Sequence, residues 1–368
     1  SCCLCVAKAS PAVVCKAHLV VAMKAARLTC RNARHAGRRC RPLCAWASAD
    51  HALTDTERAL EKKRAARFGE LTNLAEDRLG AKVLFATDEW FATASNLLQS
   101  APAQFDASTF CEQGKVMDGW ESRRRRLPGH DWCIVQLGLP GYVHGVELDT
   151  AWFTGNQVPA VRVLAAELSP AAGSEWLGAT RSSLGERGSA STPEQIAAAD
   201  AAAQAAAEWH ELVPMAGLRP GYVAAGYSTH RFEVPPLLTG RRFTHLRLNT
   251  YPDGGIARMR VWGVVARDFE RELAFGTVGR IDLLSNLNGA RALGCSNQHY
   301  GEPRNLLRLE RGTNMGEGWE TARNPRRPAV IETDPATGLV NMPGVREWCV
   351  LRLCAVALLE ELIIDTQH

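Results

Sequence analysis

The sequence predicts an all-β chain of two tandem jelly-roll sandwich repeats, and three observations carry the prediction. Blocks of sequence recur in the same order some two hundred residues apart. Strand-like runs are short and separated by Gly/Pro turns. Helical segments are too few to alternate with the strands, as βαβ units would require.

The recurrence centres on Asp118-Gly119-Trp120-Glu121-Ser122, which continues into Arg123, Arg124, Arg125 and Arg126. Its second copy is Glu317-Gly318-Trp319-Glu320-Thr321-Ala322-Arg323. At an offset of 216, Asp131-Trp132-Cys133-Ile134 aligns with Glu347-Trp348-Cys349-Val350, and Val146-Glu147-Leu148-Asp149-Thr150 with Leu362-Ile363-Ile364-Asp365-Thr366. Upstream, at 209, Thr87-Asp88-Glu89-Trp90-Phe91 aligns with Ser296-Asn297-Gln298-His299-Tyr300, and Asn96-Leu97-Leu98 with Asn305-Leu306-Leu307. The period is too long for a solenoid and implies two domains of one fold.

The first 49 residues stand apart: they hold nine of the 43 Lys/Arg, none of the 39 Asp/Glu and seven of the twelve cysteines. The rest therefore carries a net charge of −5, which gives no reason to expect nucleic acid or an anionic membrane as partner. An Arg-rich, acid-free leader is similar to an organellar transit peptide, so residues 1–50 are expected to be disordered targeting sequence, mitochondrial first, with chloroplast or cytoplasm as alternatives. No stretch reaches the roughly 18 apolar residues of a membrane-spanning helix. The five cysteines of the body are scattered, against a disulfide framework, and no His/Cys set has zinc spacing.

From residue 51 to 80 the pattern is helical: Thr54 and Asp55 can cap, and Glu57 falls in the first turn. The first repeat is expected over residues 81–266. Lys82–Ala86, Tyr142–Thr150, Pro159–Ala165, Phe243–Thr250 and Ile256–Val265 read as strands. Pro252-Asp253-Gly254-Gly255 reads as a hairpin turn joining the last two. Residues 167–211 read as an insertion with a surface helix, because Thr192 caps, Pro193 takes the first position and nine alanines fall between Ala197 and Ala207. So few large side chains offer no core-building face. The second repeat spans residues 267–368 and stops where the first continues Phe153-Thr154-Gly155-Asn156, so it reads as C-terminally incomplete. No phosphate-cradling glycine motif points to a nucleotide enzyme.

Phe85 to Phe91, Asp118 to Arg124, Gly129-His130-Asp131-Trp132 and Asp149 to Asn156 resemble the signature blocks of the allantoicase family, as do Leu246 to Asn249 and Tyr251 to Arg258. The resemblance runs from about Phe68 to His368, outside the Ala-rich insertion. It implies galactose-binding-like β-sandwiches and the hydrolysis of allantoate to ureidoglycolate and urea in purine (allantoin) catabolism, usually in a homo-oligomer. A non-catalytic galactose-binding-like module is the alternative, disfavoured by so many convergent charges.

That reaction removes urea from a carbon bearing two ureido groups and a carboxylate. The remaining nitrogen can push urea out, leaving an acyliminium that water captures, so no serine or cysteine nucleophile is needed. The needs are a carboxylate anchor, proton donors and acceptors, and partners for ureido N–H groups. Arg123 or Arg124 is the candidate anchor, His130 the general acid or base, and Asp118, Glu121 and Asp131 the base or ureido acceptors. Asp149 and Asn156 are candidates for substrate contact, or for holding loop geometry through side-chain to backbone bonds. Arg125 and Arg126 read as solvated turn residues, and Trp120, Trp132 and Trp152 as core. No cofactor is specified. His130, Asp131 and Glu121 carry donor atoms for a divalent metal, but no tight ligand spacing demands one. Because Ala322 replaces Arg123 and no residue answers His130, the chemistry is expected mainly on the first repeat.

Overall fold

The computed structural model describes residues 53–168, 183–270, 280–308, 311–340 and 346–367. The leader expected over residues 1–50 lies outside them, as does part of the insertion. One compact unit comprises Asp50–Ala322 and Cys349–His368. Arg323–Trp348 falls outside it and contains an isolated antiparallel bridge between Thr333 and Val340.

In chain order the strands are β1 (Thr72–Asn73), β2 (Lys82–Ala86), β3 (Asp88–Glu89), β4 (Phe110–Cys111), β5 (Gly114–Lys115), β6 (Trp120–Glu121), β7 (Asp131–Asp149) and β8 (Ala160–Ala166). They continue with β9 (Ser189–Ala190), β10 (His210–Gly217), β11 (Thr229–Glu233), β12 (Arg242–Tyr251), β13 (Gly255–Ile256), β14 (Arg258–Val265), β15 (Arg291–Cys295) and β16 (Cys349–Arg352). Among the described residues two α-helices, α1 (Asp55–Gly69) and α2 (Pro193–Ala206), accompany them.

The organising strand is β7. Its first half pairs with β2 and β12, with β8 and β10 following outward. Its second half pairs with β11 and β14, and β1 completes that layer. All these pairings are antiparallel. The strand turns from one layer into the other around Gly138–Gly141, where backbones approach so closely that a side chain would collide. A Cβ at Gly138 would sit 2.6 Å from the Leu79 carbonyl oxygen, and one at Gly141 2.5 Å from that of Val264. Alternation then points Cys133, Val135 and Leu137 inward from one layer, and Val143, Val146 and Leu148 from the other. With Leu246, Leu248, Val161, Val163, Met259 and Val261 they form one core between the layers.

The expected strands appear, Tyr142–Thr150 as part of the longer β7 and Ile256–Val265 divided between β13 and β14. The expected hairpin does not. β12 and β14 do not pair with each other, because Pro252–Gly255 carries the chain from one layer to the other; the Tyr251–Pro252 bond is cis. Within that crossing β13 pairs with β6.

The N-terminal helix ends at Gly69 instead of running to residue 80, and Thr72–Asn73 already belongs to the sandwich. Thr54 caps the helix as the sequence suggested, and with Glu57 it forms a capping box. Phe68 pins the helix to β7: a Cβ at Gly145 would lie 2.1 Å from its ring. The Ala-rich helix also has a core-facing side, contrary to expectation. Ala199 and Ala203 are fully buried against Leu84, Phe85, Trp132 and Ile134 on the outer face of the first layer. Small side chains let the helix approach that sheet closely, so area comes from the aromatic partners rather than from the alanines.

The duplication is visible in hydrogen bonds. Trp120 Nε1 donates to the Asp88 carbonyl at 2.8 Å, and Trp319 Nε1 to that of Asn297 at 2.9 Å. Asn96 Nδ2 reaches the Gly119 carbonyl at 3.0 Å, and Asn305 Nδ2 that of Gly318 at 2.9 Å. Ala86 opposes Cys133 in β2–β7, as Cys295 opposes Cys349 in β15–β16.

Phe68 is 1 % exposed, so Phe68→Ala should destabilise the protein by about 3–5 kcal/mol. Denaturant unfolding of the purified chain measures this, and a loss under 1 kcal/mol would mean that α1 is not part of the cooperative fold.

Candidate active site

Because β7 doubles back across the layers, both of its ends emerge at the same end of the sandwich. Asp131 opposes Thr250 there, and Asp149 opposes Arg258. The loops at that end are stitched together. Ser122 N–H donates to the Gly254 carbonyl at 3.2 Å, Gly255 N–H to that of Asn156 at 2.7 Å, and Gly188 N–H to that of Trp90 at 3.0 Å. β9 pairs with β3, which brings the middle of the insertion to the same rim.

Glu121 lies at the centre of this rim. It is 8 % exposed, and its Oε1 accepts from Asn156 Nδ2 at 2.6 Å. Burial pushes its carboxyl up to about 7, although the Asn156 bond and the charge of Arg187 pull the other way. A carboxyl half-protonated near neutrality can both give and take a proton.

Next to it, Asp88 organises Arg123. The Asp88 carboxylate accepts from the backbone N–H groups of Trp90 at 3.0 Å and Arg123 at 3.1 Å, and from Arg123 Nε at 2.7 Å. The Arg123 guanidinium lies over the Trp90 ring, 4.7 Å from its centroid. The second repeat keeps the backbone part of this arrangement with Asn297, whose Oδ1 accepts from His299 N–H at 2.9 Å and Ala322 N–H at 3.1 Å. It has lost both charges.

Asp131 is 1 % exposed. Its Oδ1 accepts from Thr87 Oγ1 at 2.9 Å and from an Arg125 terminal nitrogen at 2.7 Å. Burial raises its carboxyl, with Thr87, Ser122 and Arg125 opposing that rise. Arg125 is therefore no solvated turn residue: it neutralises a buried carboxylate, while Arg124 and Arg126 are exposed. His130 is half-buried, stacked on Tyr251 with ring centroids 4.4 Å apart, and its Nε2 donates to Asn249 Oδ1 at 3.1 Å. Burial lowers its pKa, so the ring is neutral at pH 7. No hydrogen bond joins His130 to Glu121.

The other expected site residues hold structure. Asp118 accepts from Arg258, itself 1 % exposed, and from Gln104 N–H, both at 2.8 Å. Asp149 Oδ1 accepts from Ala151 N–H at 2.9 Å, closing the turn after β7. Trp120 and Trp132 are core, whereas Trp152 is 36 % exposed and stacks on Phe105. Among the described residues, no group of three or more His, Cys, Asp and Glu gathers as a metal ion would need, and no helix is long and apolar enough to cross a membrane.

The family model described as the allantoicase repeat matches residues 72–266 and again 281–368. The chain belongs to the allantoicase family. The first match begins where β1 joins the sandwich. A probable allantoicase of Pseudomonas fluorescens is 36 % identical over 307 residues, covering 83 % of this chain and 75 % of that protein. One from Pseudomonas savastanoi pv. phaseolicola is 37 % identical with the same coverage. The crystal structure of allantoicase from Saccharomyces cerevisiae is 29 % identical, covers 82 % of this chain and 74 % of that one, and superposes with a TM-score of 0.47.

Asp88, Trp90 and Arg187 were not singled out from the sequence. Asp88 and Trp90 sit in a recurring block, so a signal existed; Arg187 lies within the insertion and carries none.

Since the folded state holds its Glu121 proton to about pH 7 and the unfolded chain to about 4.5, ionising Glu121 costs stability as pH rises across that window. Glu121→Gln keeps an acceptor for Asn156 without the charge. At pH 8 it should stabilise the protein by roughly 1–3 kcal/mol, with little gain at pH 4. Thermal melts at the two pH values check this, and equal shifts at both would contradict it.

Proposed function

We propose that the loop end of the first repeat hydrolyses allantoate to ureidoglycolate and urea, with Glu121 as the proton-transfer group. The observation that carries the reading is a buried carboxyl, half-protonated near neutrality on Asn156, in a chain of the allantoicase family. Its relatives are named probable allantoicases.

In the first half of the cycle, protonated Glu121 gives its proton to the departing ureido nitrogen. The C–N bond breaks, urea leaves, and the lone pair of the remaining ureido nitrogen forms the acyliminium. In the second half, water adds to that carbon and the Glu121 carboxylate takes the water's proton, restoring the acid. One water is consumed and one urea released, and no covalent enzyme intermediate forms. Asn156 holds the Glu121 carboxyl in place. The neutral imidazole of His130 and the Asp131–Arg125 pair border the same end of the sandwich. They support the geometry of the strand end from which the Arg123 loop departs.

Purified protein should release urea from allantoate, measured by coupled ammonia detection. With Glu121 as the acid, kcat/KM should fall about tenfold per pH unit above roughly 7. A profile flat from pH 6 to 9 would remove Glu121 from the proton-transfer role, and no urea release at any pH would defeat the activity itself.

A further inference from the structure

We propose that Arg187 is the guanidinium that anchors the substrate carboxylate beside Glu121. The inference rests on reading this site as acting on a ureido acid. Three other arginines at this end of the sandwich are already paired. Arg123 is paired with Asp88 at 2.7 Å, Arg125 with Asp131 at 2.7 Å and Arg258 with Asp118 at 2.8 Å. An arginine so paired has its charge offset, which weakens its hold on a second carboxylate. Arg124 is exposed, where water competes for its fork and leaves its charge screened.

Arg187 differs on both counts. It is partly buried, and its backbone is fixed where Gly188 N–H meets the Trp90 carbonyl at 3.0 Å and β9 pairs with β3. Among the described residues its side chain has one hydrogen-bond partner, the Cys111 thiol at 3.1 Å, and no carboxylate within ion-pair distance. A partly desolvated cation without a counter-ion is an unfavourable arrangement that an anionic ligand would relieve. Its field reaches Glu121, whose carboxyl it pulls down, and it lowers the Cys111 thiol. The reacting carbon carries both the carboxylate and the leaving urea. The anchor and the proton donor must therefore face one carbon from two sides, and the segment 90–92 ties them together: Gly188 N–H meets the Trp90 carbonyl at 3.0 Å, while the Phe91 and Ala92 N–H groups meet the Glu121 carbonyl at 3.3 and 3.2 Å. Its planar fork also suits a carboxylate held by two parallel bonds.

The test compares urea release from allantoate and from its neutral carboxamide. Wild type should prefer the acid, and Arg187→Met should raise KM for allantoate by about tenfold to a hundredfold while bringing the acid-to-amide ratio of kcat/KM close to one. Arg187→Lys, which keeps charge without the fork, should recover part of the ratio and serves if the methionine variant folds poorly, as a thermal melt would reveal. An active Arg187→Met or Arg187→Lys enzyme with the wild-type ratio overturns the anchor. A wild-type protein that turns over neither compound overturns the reading of the site, and the anchor with it.

Discussion

The structure depends on one bend. β7 leaves the rim at Asp131, runs up one layer, turns at Gly138–Gly141 and returns down the other layer to Asp149. The turn requires residues without side chains, since neighbouring carbonyls occupy the space a Cβ would take. Because both ends return to the same rim, the loops before and after β7 meet, together with the Pro252–Gly255 crossing between layers. Glu121 acquires its environment from that convergence: Asn156 comes from the loop after β7, and Gly255, its partner in β13, from the crossing. The perturbed carboxyl is thus a consequence of topology, reached without any special local motif.

The duplication separates scaffold from chemistry. Trp120 and Trp319, Asn96 and Asn305, and Asp88 and Asn297 make equivalent bonds to backbone groups. These bonds need a donor or an acceptor of the right shape, and an amide serves as well as a carboxylate. Only the first copy adds the charges, with Asp88 facing Arg123 where the second has Asn297 and Ala322. Where the fold alone is at stake a neutral residue suffices, and the first copy adds an ion pair to the same frame.

Much of this was legible in the sequence because it is local or repeated. The capping residues Thr54 and Thr192, the alternation of β14 and the recurring blocks all signal through fixed spacing. The Pro252–Gly255 link was misread because turn chemistry does not say whether the flanking strands lie in one layer or two. The alanines of α2 showed no core face, since the aromatic area they cover comes from Phe85 and Trp132, about 115 and 70 residues earlier in the chain. Within the arginine run, four identical residues gave no sign that Arg125 alone turns inward to Asp131. That choice is made by the buried carboxylate, a tertiary fact.

The central claim is that the first repeat carries the chemistry and the second repeats its frame. Glu121 and Glu320 occupy equivalent positions, so the most direct measurement is urea release from allantoate by Glu121→Gln and Glu320→Gln side by side. The account predicts a fall in kcat of about 10² to 10⁴ for Glu121→Gln and a change within about twofold for Glu320→Gln. Equal losses in the two variants, or a larger loss at Glu320, would contradict it.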